Sequence, residues 1–211
     1  MTAGFEQEVA ILADLVRATG AEELCIGGGL GVAYVPEEEG PTIAQWGAMV
    51  KTAAANAGID AAVRITAEPG RSIVAPTALT LYRVGTVKEL AGIRTYVSVD
   101  GGMSDNPRPV LYGSGYETFL PRCVDADRDW VVRLVGKHCE SGDVIVRDAR
   151  VPIDMAVGDV IATPVTGAYG YSMASNYNKV PRPAVVFVGG GGARVVVRRE
   201  TLDDLLRLDA D

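Results

Sequence analysis

Apolar positions set the first elements of the chain. Phe5, Val9, Leu12 and Val16 recur at the spacing of one helix face, Ile11 and Leu15 widen it, and Gly20 ends it, which predicts an amphipathic helix. The apolar run Leu24-Cys25-Ile26 reads as a short strand that runs straight into Gly27-Gly28-Gly29-Leu30-Gly31. A second helix is expected from Thr42 up to Gly58. Thr42 and Gln45 have the spacing of a capping box, and Ile43, Trp46, Met49, Val50 and Ala53 supply an apolar face. Ala62–Ala67 reads as another strand and ends in Glu68-Pro69-Gly70-Arg71. Helix, strand, helix, strand in that order predicts a βαβ unit with parallel strands.

Beyond Pro76 the pattern changes. Thr80–Val87, Thr95–Val99, Trp130–Val135, Val144–Val146, Val160–Val165, Val185–Val188 and Arg194–Val197 read as short strands, with no helix expected before Thr201–Leu208. This predicts an all-β region of sandwich or barrel type and places a domain boundary near Ala75–Thr77, dividing the chain into residues 1–76 and 77–211. Two parallel strands neither close a barrel nor cover both faces of a sheet. A segment that short also falls below a comfortable core size. It is therefore expected to be the last part of a larger α/β body, in preference to one completed by other chains.

Composition narrows the partners. The 211 residues are 48% hydrophobic and 22% charged, which suits a soluble globular chain. A formal net charge of −7 argues against nucleic acid and against an anionic membrane surface. Cys25, Cys123 and Cys139 are too scattered for a disulfide framework, and no Cys-x-x-Cys spacing suggests a metal. The residues from Met1 to Glu6 form neither a basic nor an apolar segment, and no apolar run reaches membrane-span length, so a cytoplasmic location is expected.

Several stretches can carry chemistry. Gly136–Asp143 holds the single histidine, Cys139, Glu140 and Asp143, closed by a Ser-Gly turn before a β-branched run. It suits an active-site loop, and equally an ordinary hairpin turn with Cys139 as a small buried hydrophobe. Gly27-Gly28-Gly29 at a strand end lets successive backbone N–H groups converge on an anion, as a phosphate nest does, although a tight turn has the same composition. Glu68-Pro69-Gly70-Arg71 closes the neighbouring strand, and in a parallel layer both loops lie on the ligand-binding edge. Arg71 suits a phosphate or carboxylate, while Glu68 calls for a cationic partner such as a protonated ring nitrogen. Asp100–Tyr112 reads as a long polar loop, Gly167–Tyr171 as glycines around an aromatic, and Gly189–Gly192 as a hairpin connection.

Taken together, Ile26–Gly31, Glu68–Arg71, Asp100–Met103 with Arg108–Tyr112, Cys139–Asp143 and Gly167–Tyr169 resemble the diaminopimelate decarboxylases. These belong to the pyridoxal-phosphate decarboxylases built from an alanine-racemase-like, TIM-like barrel and a β domain. The resemblance runs through essentially the whole chain and implies its roles residue by residue. Gly27, Gly28 and Gly29, with Tyr169, would hold the cofactor phosphate. Glu68, in the turn with Pro69, Gly70 and Arg71, would pair with the pyridinium nitrogen. Arg71, Arg108 and Tyr112, near Tyr169, would grip the distal carboxylate of an amino-acid substrate, and Glu140 its distal ammonium. Cys139 would act as the acid that reprotonates the substrate carbon. In the family, Cys139 and Glu140 reach the partner subunit's cofactor, which implies a homodimer.

One feature of the family is missing from this sequence. The lysine that holds the cofactor covalently, and a histidine beside its ring, lie in the family upstream of anything here. Lys51, Lys88, Lys137 and Lys179 match none of the family's lysine contexts. The resemblance therefore implies the last two βα units of the barrel followed by the β domain, inactive alone. The alternatives are a related ornithine-, arginine- or carboxynorspermidine-type decarboxylase, and a non-catalytic, lysine-less regulatory homologue.

Overall fold

Helix α1 (Thr2–Thr19) buries Val9, Ala13 and Val16, while Ile11 and Leu15 are each 57% exposed. The buried face is thus narrower than the sequence stripe, because Ile11 and Leu15 stand two positions from Val9 and Ala13, about 200° round the helix. Gly20 closes the helix with φ +68° and donates its N–H to Val16 O at 2.9 Å. This helix belongs to the first of two units, Met1–Ala75 and Pro76–Asp211, in a computed structural model that describes residues 2–210.

Strand β1 (Glu23–Cys25) is followed by helix α2 (Ile43–Asn56), whose Thr42–Gln45 capping box forms as expected. Strand β2 (Arg64–Thr66) pairs with β1 in parallel, Leu24 opposite Ile65 and Cys25 opposite Thr66. Trp46 and Val50 on α2 pack with Leu30, against Phe5, Ile26 and Ile65. Burying side chains of this size stabilises by about 1.5–3 kcal/mol each, which seats the helix over the two strands. The turn after β2 starts a short helix, α3 (Gly70–Val74), which the sequence pattern does not reveal.

In the second unit all seven strands expected from the sequence form, several of them longer than the apolar runs. They are β3 (Leu79–Leu90), β4 (Arg94–Val99), β5 (Trp130–Val135), β6 (Val144–Val151), β7 (Val160–Pro164), β8 (Val185–Gly189) and β9 (Gly192–Val197). The first five make one mixed sheet in the order β6-β5-β4-β3-β7, and β8 and β9 pair separately. β4 and β5 run parallel, the others antiparallel. That exception leaves a long connection between them, and this connection carries helix α4 (Arg108–Tyr112) where the sequence reads as loop. Along β4, Thr95, Val97 and Val99 turn inward, the period of a half-buried strand. β3 pairs with β7 through Leu79–Arg83 and with β4 from Val84 onward, its register shifting between Val84 and Thr86. Gly190 and Gly191, at φ +56° and +77°, make the tight β8–β9 turn. Helix α5 (Leu202–Leu206) follows, capped by Thr201 and Asp204.

Candidate active site

In the first unit, two loops at the strand ends are held together backbone to backbone. Glu68 donates its N–H to Gly27 O at 2.7 Å, and Ile26 donates to Thr66 O at 3.0 Å. A Cβ on Gly28 would lie 2.9 Å from Glu68 O, so only glycine fits this approach. Gly27 and Gly29 take φ +67° and +88°. Among the described residues, the N–H groups of Gly28 and Gly29 find no acceptor. They line a cavity of about 470 Å³ together with Phe5, Trp46 and Met49. Glu68 is exposed and Arg71, in the first turn of α3, is half-buried; neither side chain has an ion pair among the described residues.

In the second unit, three loops converge. The 100–112 connection carries Arg108, whose guanidinium lies 5.1 Å over the Tyr112 ring and 6.0 Å over the Tyr169 ring, and donates to Ser114 Oγ at 3.1 Å. Arg108 is buried, whereas Tyr112 and Tyr169 are about half exposed or more. The 136–143 loop carries Cys139 and Glu140, both exposed, so Cys139 is not a buried hydrophobe. Glu140 folds back onto its own turn, accepting from Gly142 N at 3.1 Å. The loop after β7 carries Tyr169 at φ +56°, and Val165 at φ +61°, a costly conformation for a β-branched side chain.

Hydrogen bonds and one ring stack tie the three loops. Lys137 N donates to Gly101 O at 3.0 Å, Met103 N to Asp143 Oδ1 at 2.7 Å, and Ser175 N to Ser104 O at 2.8 Å. The His138 ring stacks on Tyr177 at 5.6 Å between centroids. Asp105 accepts from Tyr82 Oη and Gly102 N, both at 2.8 Å. Burial raises the Asp105 carboxyl above its ordinary range, opposed by these hydrogen bonds, and burial likewise pushes the Tyr82 hydroxyl well up.

The Tyr177 segment is anchored from outside the cluster. Glu200 accepts from Arg182 N at 2.7 Å, Arg182 Nε at 2.8 Å and Asn176 Nδ2 at 2.6 Å. These bonds, the Arg182 guanidinium first, hold the Glu200 carboxyl down at about 2, from 4.5. A depressed carboxyl contributes stability above its unfolded value and loses it as pH falls towards its folded value. The difference in melting midpoint between the wild type and Glu200→Gln is therefore expected to be constant above pH 4.5 and to close between 4.5 and 2. A difference that does not vary with pH would show that the carboxylate is not the tie.

Comparison with known proteins supplies the family. Residues 7–75 match the family model described as the pyridoxal-binding domain of pyridoxal-dependent decarboxylases, and residues 44–167 match that of their C-terminal sheet domain. The chain belongs to the pyridoxal-dependent decarboxylases. It is 46% identical over 223 residues to diaminopimelate decarboxylase of Mycobacterium tuberculosis strain H37Rv, covering 98% of this chain and 50% of that protein. Two solved diaminopimelate decarboxylases complexed with L-lysine are similar in structure. The one from M. jannaschii has a TM-score of 0.89 at 32% identity, covering 100% of this chain and 50% of that one. The one from Helicobacter pylori has a TM-score of 0.82 at 34% identity, covering 97% and 49%. The chain thus spans about half the length of these decarboxylases.

The sequence-predicted residues fall into two sets. Gly27, Gly28, Gly29, Glu68, Pro69, Gly70 and Arg71 share one edge of the first unit, and Arg108, Tyr112 and Tyr169 share one patch of the second. Cys139 and Glu140 lie on the adjoining loop, joined to the 100–112 connection through Lys137 and Asp143. Sequence reasoning did not pick out Tyr177, Tyr82 or Asp105, which nothing in local spacing distinguishes. Among the described residues no group of histidine, cysteine or acidic side chains could hold a metal ion, and no helix is long and apolar enough to cross a membrane.

Proposed function

We propose that this chain forms the C-terminal half of a diaminopimelate decarboxylase, which releases carbon dioxide from meso-2,6-diaminopimelate to leave L-lysine, with pyridoxal phosphate as cofactor. In this reading residues 1–76 are the last two βα units of a TIM-like barrel and residues 77–211 its C-terminal β domain. The observation that carries it is the Gly28 cradle, packed on Glu68 O with the Gly28 and Gly29 N–H groups beside the cavity. This arrangement fits a phosphate ester, and the cavity is large enough for a ligand the size of the cofactor.

Each residue then has a role. The Gly27–Gly29 loop and the Tyr169 hydroxyl bind the phosphate. Glu68, in the Glu68-Pro69-Gly70-Arg71 turn, holds a proton on the pyridine nitrogen. Bound there, pyridoxal phosphate would supply a carbonyl carbon for the substrate amine and a ring that serves as electron sink for decarboxylation. Arg71, Arg108 and Tyr112 orient the distal carboxylate, and Glu140 the distal ammonium. Cys139 delivers a proton to the substrate carbon. The enzyme is a cytoplasmic homodimer in which Cys139 and Glu140 serve the partner's site.

None of the four lysines suits covalent attachment of the cofactor: Lys51, Lys88, Lys137 and Lys179 are all exposed, and Lys179 faces Asp209 at 4.0 Å. The 211-residue chain is therefore expected to bind pyridoxal phosphate weakly and non-covalently, and to release carbon dioxide from diaminopimelate only when a lysine-bearing N-terminal half is added. Borohydride reduction and peptide mapping check this. Specific fixation of the cofactor to any of the four lysines would overturn the reading, as would no cofactor retained by either the chain or the mixture.

A further inference from the structure

The decarboxylase reading uses Cys139 and Glu140 of the 136–143 loop and leaves its histidine and its second acid without a role. Both are fully buried, with side chains 0% and 2% exposed. Asp143 Oδ2 accepts from His138 N at 3.0 Å and Oδ1 from Met103 N at 2.7 Å, and His138 Nδ1 lies 2.8 Å from Oδ2, a contact that a carboxylate makes as acceptor when Nδ1 carries the ring proton. One carboxylate thus takes three N–H donors from two loops. His138 Nε2 meets no donor or acceptor among the described residues, so the ring's single polar attachment is Asp143. Its face is covered by Tyr177 of the third loop.

The backbone is shaped around this pair. A Cβ on Gly102 would come within 2.5 Å of Asp143 Oδ2 and 2.7 Å of His138 Nδ1, and one on Gly136 within 2.5 Å of the Asp143 carboxyl carbon. Two glycines on different loops are therefore needed to admit one carboxylate. Cys139 and Glu140 sit between His138 and Asp143, and Arg108 follows Met103 by five positions on the opposite loop.

We infer that Asp143 and His138 are positioning residues: their buried pair sets the loop bearing Cys139 and Glu140 against the loop bearing Arg108. A carboxylate does this better than a neutral side chain, because each of its oxygens only accepts, the Met103 and His138 backbone N–H groups only donate, and the ring completes the set in the tautomer that carries its proton on Nδ1. The importance of that setting for catalysis rests on the proposed roles of Cys139 and Glu140.

The test uses the 211-residue chain without cofactor. Because the chain has a single histidine, ¹⁵N-labelled histidine gives one pair of ring signals, expected to show a protonated Nδ1 and an unprotonated Nε2. In Asp143→Asn, hydrogen-exchange protection of the Met103 and His138 amides is expected to fall about tenfold or more, while amides of the β3–β7 pairing keep theirs. His138→Asn, whose side-chain amide takes the place of Nδ1, should retain the protection at Met103, and His138→Leu should lose it. Should Asp143→Asn fail to fold, the His138 variants, which keep the carboxylate, decide the matter. The opposite tautomer, unchanged Met103 protection in a folded Asp143→Asn, or equal behaviour of His138→Asn and His138→Leu would each overturn the inference. These measurements need no activity. A failed complementation would remove the decarboxylase reading alone, and equal His138 variants would remove the positioning role alone.

Discussion

Gly136→Ala is expected to destabilise the second unit by about 3–5 kcal/mol, the range for a buried charge driven from its partners. Gly136 has an ordinary backbone conformation, so the reason for glycine here is space alone. The added methyl would collide with the Asp143 carboxylate. That group is the far end of a side chain, which elsewhere would swing aside cheaply. Here it is held by Met103 N, His138 N and His138 Nδ1, and moving it leaves buried donors unmatched. Gly92→Ala is the control: φ is +71° with nothing within 4 Å, so only backbone strain of about 1 kcal/mol applies. Trp130 in β5 reports on this unit in urea once Trp46, in the other unit, is replaced by Phe. A Gly136→Ala loss no larger than that of Gly92→Ala would mean that Asp143 has room to move.

Periodicity made the elements legible. The Thr42–Gln45 box, the Gly20 and Gly58 stops and seven β-branched runs are each signalled by residues a few positions apart, and the fold contains all of them. What was not legible depends on distant partners. The parallel pairing of β4 with β5 is set by where a thirty-residue connection returns, and no local pattern encodes that. Helices α3 and α4 have five residues each, too short for a periodic signal. Ile11 and Leu15 look like core residues because apolar type alone does not say which face is covered.

The candidate site divides in the same way. Glycine runs and the Glu68–Arg71 turn are contiguous, so sequence and resemblance reach them directly. The Asp143–His138 pair lies inside the Gly136–Asp143 stretch, yet its partner Met103 is forty residues away from Asp143. Asp105 and Tyr82 are ordinary residues of a loop and a strand until the fold sets them 2.8 Å apart. Gly101 belongs with them, since a Cβ there would fall within 2.6 Å of the Tyr82 ring. Glycines that the motif presents as flexible are places where side chains from elsewhere need the room.

Arg108→Met, in the enzyme reconstituted with a lysine-bearing half, is expected to lower kcat/KM for diaminopimelate by about 10²- to 10³-fold, the scale for leaving a substrate carboxylate without its guanidinium. For a substrate of similar length without a distal carboxylate, such as lysine or ornithine, kcat/KM should change little, so the preference itself collapses. Arg108 is well placed for this selectivity. Its guanidinium is buried and held over Tyr112 and Tyr169, with a hydrogen bond to Ser114, so its direction is set before a ligand arrives. Methionine keeps most of the apolar stem that packs in this site, which limits the loss of stability. Arg108→Lys should recover little, because an ammonium offers neither the planar fork nor the stacking between two rings. Equal losses on both substrates would make Arg108 a structural residue of the tyrosine cluster. A wild-type enzyme that already prefers ornithine would keep the decarboxylase chemistry and replace diaminopimelate as its substrate.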